Sequence, residues 1–223
     1  MNFLQSKTAI NLARSFAGES QARNRYTIYA EQARNEQQEY LARIFEQTAD
    51  NERIHAKEFL EKIQQYAGEP VKNLEIDGGY PYPLGNTEQN LTFAAEGELD
   101  EHKNAYPAFA AIAQEEGFTE AAQLWKMIAV IEGLHHNVFQ EAHFQLTSGT
   151  LYRKQQPVVW RCIKLWPMSI RGQSPGRSAR CVEKPHGWVE GVCGYPCDSQ
   201  VLTLDEFLPG KPNGAVVFHH IPG

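Results

Sequence analysis

Glu52-Arg53-Ile54-His55 and Glu132-Gly133-Leu134-His135 share one spacing, an acid followed three residues later by a histidine. Positions i and i+3 of a helix lie on one face, so each pair aims a carboxylate and an imidazole at one point. A single such pair is common on solvated helices; the surroundings of these two are not those of a solvated face. Phe45, Ala49, Ala56 and Phe59 share the Glu52 face, and Trp125, Ile128, Ala129 and Phe139 share that of Glu132. Each acid thus sits in the middle of an apolar stripe, the side that should face a core. An ionised carboxylate there is costly unless something positive compensates it.

Two further helical segments carry acids in the same phase. Leu12, Phe16, Ala22 and Tyr26 surround Glu19, while Leu91, Ala94, Ala95 and Ala105 surround Glu98, with Glu101 one turn further along the same face. The chain therefore offers one glutamate, then E-x-x-H, then E-x-x-E, then E-x-x-H from four successive segments. That is the donor set of a di-metal carboxylate site in a four-helix bundle. Tyr26 and Tyr106 lie on the same stripes. Either a phenol hydrogen-bonded to an outer carboxylate oxygen or an ordinary core tyrosine fits those positions. His102, His136 and His143 are out of phase or redundant and read as surface or packing residues, and Arg23 and Arg25 as partners of helix-surface acids.

The elements that must position these groups follow from the pattern. Helix one is expected over 4–34 and helix two over 36–66, joined so tightly that they form an antiparallel hairpin. A long connection dense in turn residues follows, including Gly68, Pro70, Gly78, Gly79, Pro81 and Pro83. Helix three should start at a cap supplied by Asn86 or Thr87 and run to about Glu116, with a kink at Pro107. Gly117 should stop it, and Thr119 should cap helix four, which runs to about Leu146. One long crossover is what separates ferritin-like bundles from up-down-up-down ones. The expected class is therefore all-α, a ferritin-like four-helix bundle followed by an irregular C-terminal tail. The expected divisions are 1–147 for the bundle, 148–164 for a linker and first strand, and 165–223 for the tail.

With 223 residues the chain can bury one good core and a small appendage. A formal net charge of −6 without a basic stripe argues against a nucleic-acid partner. Met1-Asn2-Phe3-Leu4 leads directly into a polar amphipathic segment, and no apolar run approaches membrane-spanning length, so a soluble cytoplasmic protein is expected. The 4 cysteines, Cys162, Cys181, Cys193 and Cys197, all lie in the last third. In a cytosolic chain such a cluster suggests metal or redox chemistry before disulfides.

Residues 16–26, Phe-Ala-Gly-Glu-Ser-Gln-Ala-Arg-Asn-Arg-Tyr, taken with the Glu52/His55, Glu98/Glu101/Tyr106-Pro107 and Glu132/His135 sets, resemble the rubrerythrin family over about residues 1–163. The resemblance implies a non-haem centre of two iron ions that reduces hydrogen peroxide to water and protects against oxidative stress. It implies iron ligation by Glu19, Glu52, Glu98, Glu101, Glu132 and His135. His55 would be the alternative ligand to one iron, exchanged with Glu101 as the oxidation state changes, with Tyr26 and Tyr106 beside the reacting centre. Hard carboxylates favour ferric iron and imidazole suits ferrous iron, which makes such an exchange chemically reasonable. The resemblance also implies a homodimer. A ferroxidase or iron-binding role of the ferritin kind is the second reading.

The family normally carries a C-terminal rubredoxin-like module, in which two C-x-x-C knuckles hold one iron and relay electrons. Val158-Val159-Trp160-Arg161-Cys162-Ile163-Lys164 opens such a module, but Leu165 stands where the second cysteine is expected and no C-x-x-C follows. Only Cys162 of that site is in place, so the relay iron is expected to be missing. Electrons would then come from an external donor such as a rubredoxin or its reductase. Read one base later, codons for Leu165-Trp166-Pro167 can spell Cys-Gly, and in a further shifted frame those for Ser178 to Lys184 can spell Cys-Pro-Val-Cys-Gly-Lys. Two single-base insertions near codons 165–167 would account for the lost knuckles, and codons unable to spell those cysteines would refute the idea. A new metal knuckle drawn from Cys162, Cys181, Cys193, Cys197, His219 and His220 is the competing reading, disfavoured because the spacings match no usual zinc knuckle.

Overall fold

The structure, a computed structural model, describes residues 2–153, 155, 158–162, 169–172 and 189–192. The chain divides into two units, Met1–Ser148 and Gly149–Gly223.

In the first unit, a single 3₁₀ turn at Phe3–Gln5 precedes α1 (Lys7–Asn35), so the helix starts three residues later than its periodicity suggests. The Ser6 side chain accepts from the Ala9 amide. Glu116, from the far end of another rod, accepts from the Lys7 and Thr8 amides at 3.0 and 2.8 Å. A side-chain oxygen and a carboxylate thus satisfy amides that a helix start leaves without intrahelical partners. A short connection containing Gln37, at φ 62°, returns the chain into α2 (Glu39–Ala67). Gly68 ends α2 at φ 72°, the left-handed conformation that only glycine adopts without cost.

The long crossover is strapped along α1. Arg14 donates to the Asp77 carbonyl at 2.9 Å and pairs with its carboxylate, Gln21 donates to the Pro81 carbonyl, and the Tyr29 hydroxyl donates to the Pro83 carbonyl at 2.6 Å. Asn86 then opens α3 (Thr87–Asp100) through a reciprocal capping box with Gln89.

Where the sequence suggests a kink at Pro107, the backbone instead makes a π turn over Glu101–Ala105 before continuing as α4 (Tyr106–Glu115). Pro107 lies in the first turn of α4, where its missing amide costs little. Gly117, at φ 85°, separates α4 from α5 (Thr119–Thr147). The expected cap at Thr119 is not made: Phe118 occupies the cap position without a side-chain bond, and Thr119 is already helical.

α1 packs along α2, and the α3–π–α4 rod packs along α5. Phe59, Tyr106 and Trp125 pack as one aromatic group in the core, with the Trp125 indole donating to Ser15 at 2.9 Å. Tyr26, Tyr29, Phe45 and Phe139 form a second. Among the described residues no helix is long and apolar enough to cross a membrane.

In the second unit, β1 (Val158–Cys162) is the central strand of a three-stranded sheet ordered β2-β1-β3, with β2 (Ser169–Gly172) and β3 (Val189–Val192) both antiparallel to it. β1 is the strand expected to open the C-terminal module. β2 and β3 fall within the stretch expected to be irregular, whose other residues, including Leu165, Cys181, Cys193, Cys197, His219 and His220, lie outside the described residues.

Candidate metal centre

All four rods of the first unit bring acids to one buried point. Glu19 arrives from α1, Glu52 and His55 from α2, Glu98 from α3, and Glu132 and His135 from α5. All six are buried. They fall into two overlapping sets whose ligand atoms lie within 4.8 Å of one another: Glu19, Glu52, His55 and Glu132, and Glu52, Glu98, Glu132 and His135. Glu52 and Glu132 belong to both.

The distances show how the shared acids straddle the two sets. His55 Nδ1 is 3.0 Å from Glu52 Oε2 and 2.9 Å from Glu132 Oε1. His135 Nδ1 is 3.2 Å from Glu52 Oε1 and 2.8 Å from Glu132 Oε2. Each of these carboxylates therefore turns one oxygen to each histidine, the disposition of a bridging ligand. Glu19, 4.0 Å from His55 Nδ1, and Glu98, 3.5 Å from His135 Nδ1, stand at the two outer ends. The imidazole rings stack 26° from parallel with centroids 5.8 Å apart.

Burying four carboxylates together strains their ionisation. Burial, then repulsion from Glu132 and Glu52, pushes the Glu19 carboxyl well above the ordinary range. Glu98 is pushed up to about 8 by burial and by Glu52 and Glu132, against the pull of His135. Burial also opposes ionisation of Glu52, but the adjacent His135 and His55 outweigh it and hold that carboxyl below the usual range. His55 rises to about 9 because the adjacent Glu132 and Glu52 carboxylates outweigh burial, which alone would lower it.

Hydrogen bonding leaves this network incomplete. Glu19 Oε2, Glu52 Oε1, Glu98 Oε2, both Glu132 oxygens and His135 Nδ1 are buried without a hydrogen-bond partner among the described residues. Several of them approach an oppositely polar atom closely yet out of line, and orphaned buried polar atoms of this kind are expensive. Cations lying between the atoms would satisfy them at once, and four carboxylates balance two divalent charges. The donor set, carboxylate oxygen with imidazole nitrogen, suits iron. The residues fit a two-metal site.

The outer acids are held crosswise. Tyr26, on α1, donates its hydroxyl to Glu98 on α3, and Tyr106, on α4, donates to Glu19 on α1. Of the two roles open to these tyrosines, the carboxylate-bonded one is realised, though each reaches an acid on another rod. Burial first, then the neighbouring acids, raises both phenols well above their ordinary range, so they stay protonated donors.

Glu101 belongs to neither set of four. It lies half-buried at the start of the π turn, where burial and the charges of Glu98, Glu132 and Glu52 push its carboxyl well up. Among the described residues Arg25 does not pair with a surface acid as expected. It donates to Gln21 at 2.9 Å and lays its guanidinium 5.5 Å from the Tyr26 ring centroid. Asn51, absent from the sequence-based set, has its amide nitrogen 3.1 Å from Nε2 of His135, the ring nitrogen facing away from the cluster. Nothing local distinguishes Asn51, since its partner is supplied by a different helix; only its place directly before Glu52 hints at it.

A family model described as Rubrerythrin matches residues 11–143. A rubrerythrin of Clostridium perfringens is 45% identical over 159 residues, covering 70% of this chain and 80% of that protein. A structure of nigerythrin in a partially reduced state aligns with a TM-score of 0.56 at 26% identity, over 86% of this chain and 94% of that one. A bacterioferritin of Desulfovibrio desulfuricans, whose structure is described by its di-iron site, shares the fold with a TM-score of 0.56 at 22% identity, over 64% of this chain and 81% of that one.

Proposed function

The chain belongs to the rubrerythrin family, and on that premise we propose that it is a non-haem di-iron peroxidase that reduces hydrogen peroxide to water in the cytoplasm. The observation that carries this reading is the pair of overlapping ligand sets sharing Glu52 and Glu132, with a further ionisable carboxyl, Glu101, beside them. Two irons bound there would each supply one electron to the O–O bond. The overall change is H₂O₂ + 2 e⁻ + 2 H⁺ → 2 H₂O.

The chain's own residues do the rest. Glu52 and Glu132, common to both sets, would be ligands shared by the pair, and Glu19 and Glu98, held by Tyr106 and Tyr26, would be ligands to one iron each. The Phe59, Tyr106 and Trp125 group and the Tyr26, Phe45 and Phe139 group each carry one of the tyrosines bonded to an outer acid, and such apolar rings would limit bulk water at the cluster. Glu101, whose carboxyl is pushed well above the ordinary range by burial and the neighbouring acids, would be the acid that gives a proton to a departing oxygen. We assign Glu101 and His55 as alternative ligands to one iron. His55 already lies inside one set of four, and Glu101, as a harder anionic donor, would take its place when that iron is oxidised.

Re-reduction would use an external donor such as a rubredoxin or its reductase, because no C-x-x-C follows Cys162. A homodimer is the expected assembly. The test is anaerobic mixing of the reduced, iron-loaded protein with peroxide or with dioxygen. Reoxidation by one peroxide per iron pair, faster than by dioxygen, is expected. Preference for dioxygen, with many irons accumulating per chain, would replace this reading with ferroxidase or storage.

A further inference from the structure

His102 and His136, which periodicity sets aside as surface or packing residues, make the same unusual contact in opposite directions. His102 Nδ1 lies 2.6 Å from the Ala129 carbonyl oxygen, from the π turn to α5. His136 Nδ1 lies 2.7 Å from the Ala95 carbonyl oxygen, from α5 to α3. A carbonyl only accepts, so Nδ1 carries the hydrogen in both rings, and its second lone pair leaves room for a ring N–H beside the helical bond.

The exchange mirrors an internal repeat. Ala95-x-x-Glu98-x-x-Glu101-His102 and Ala129-x-x-Glu132-x-x-His135-His136 are one pattern, A-x-x-E-x-x-ligand-H, on two facing rods. In each copy the final histidine bonds the carbonyl of the alanine that begins the other copy. Two such bonds, one from each side, fix how far the rods can slide along each other. That sliding coordinate sets where Glu98 and Glu101 stand relative to Glu132 and His135.

Gly133 provides the space. A Cβ on it would lie 2.9 Å from His102 Nδ1 and 3.0 and 3.2 Å from two ring carbons, closer than side chains pack. The imidazole therefore lies directly over the α5 backbone, inside the Glu132–His135 motif itself. His102 is also the residue after Glu101, so its bond holds the π turn at the one place where that turn presents a carboxylate.

We propose that His102 and His136 are reciprocal positioning residues that lock the register of the two motifs. In this arrangement His102, seated on Gly133, holds the π turn so that Glu101 stands beside the metal cluster and within reach of it. This rests on the two-metal reading of the cluster, with Glu101 as a ligand of the oxidised pair, and not on peroxide as the substrate.

The test uses the full chain loaded with iron and measures metal content, the di-iron midpoint potential and the thermal midpoint. H102F keeps a ring and loses the donor; H102N keeps a nitrogen donor in the Nδ1 position. With the π turn released, H102F should weaken Glu101 binding to the oxidised pair about tenfold, which raises the potential by about 59 mV for a one-electron step. H102N should restore the wild-type value.

G133A leaves His102 in place and should shift the potential in the same direction by displacing the ring, despite the intrinsic gain that alanine brings to a helix. It serves as the second variant should H102F not fold. Equal potentials in H102F and wild type, both loaded with two irons, would overturn the proposal, as would a G133A chain that is only more stable. A wild-type chain that takes up no iron would remove the two-metal reading and this one together.

Discussion

Asn51 Nδ2 stands 3.1 Å from His135 Nε2, on the side of the ring turned away from the carboxylates. Nδ1 of the same ring, 2.8 Å from Glu132, is thereby left as the ligand atom. When Nδ1 holds a metal, Nε2 carries the hydrogen and the Asn51 amide turns its oxygen to accept it. Partners of this kind fix ring orientation, and losing one typically costs 10–100-fold in metal affinity. N51L should therefore weaken binding of one of the two ferrous ions by about that factor while the other binds as before. Anaerobic titration with ferrous iron reads the two steps; two unchanged steps would refute the assignment.

The crosswise tyrosines predict a site-resolved effect. Tyr106 bonds Glu19, which belongs to the His55 set, and Tyr26 bonds Glu98, which belongs to the His135 set. Y106F should then alter the Mössbauer doublet of one iron and Y26F that of the other. Each variant also leaves a buried carboxylate oxygen without its donor, a loss of roughly 1–3 kcal/mol. Both variants moving the same doublet, or neither moving one, would contradict the geometry.

Glu101 stands outside both sets of four, so E101Q should load two ferrous ions as the wild type does. What it should lose is the carboxylate that stabilises the oxidised pair and the proton offered to the departing oxygen. Peroxide-driven reoxidation should slow about 10²-fold or more, the usual contribution of a positioned acid. Stopped-flow absorbance after anaerobic reduction measures this, and a rate within a few-fold of wild type would exclude the role.

The carboxyl and imidazole shifts predict a pH dependence once iron is removed with a chelator. Glu98 rises to about 8 and His55 to about 9, both above their unfolded values. Groups raised in the folded state add stability below their unfolded values and lose it as pH climbs through the folded ones. Glu52, held low, works in the opposite sense, and its contribution is present above the ordinary carboxylate range. All three favour the fold near pH 5–6, and two of them cease to by about pH 9. The chelated protein should lose roughly 5–10 °C in Tm between about pH 6 and 9, at about 2–4 °C per kcal/mol for a domain of this size. The iron-loaded protein should show little of this fall, because bound metal keeps the carboxylates ionised throughout. A flat or rising Tm in the chelated protein would show that the buried acids are not strained.

The sequence alone determined the parts of this protein that depend on local periodicity. Four acids in the middle of apolar stripes, two E-x-x-H pairs and the Asn86 cap are properties of single helices, and a helix repeats every 3.6 residues whatever surrounds it. For the same reason Glu19, Glu52, Glu98, Glu132, His55 and His135 could be placed on inward faces before any packing was known. Only the tertiary structure decided how those faces meet. That Glu52 and Glu132 are the shared acids, that each tyrosine serves a carboxylate on another rod, and that Asn51 backs His135 are facts about pairs of helices. They depend on how far one rod slides and rotates against its neighbour, and side-chain packing and the crossover strapped to α1 set that. The π turn is of the same kind. Pro107 announces an interruption, but that the backbone widens over Glu101–Ala105, that Glu101 falls outside both sets of four, and that the turn touches α5 through His102 are visible only in the packed rods.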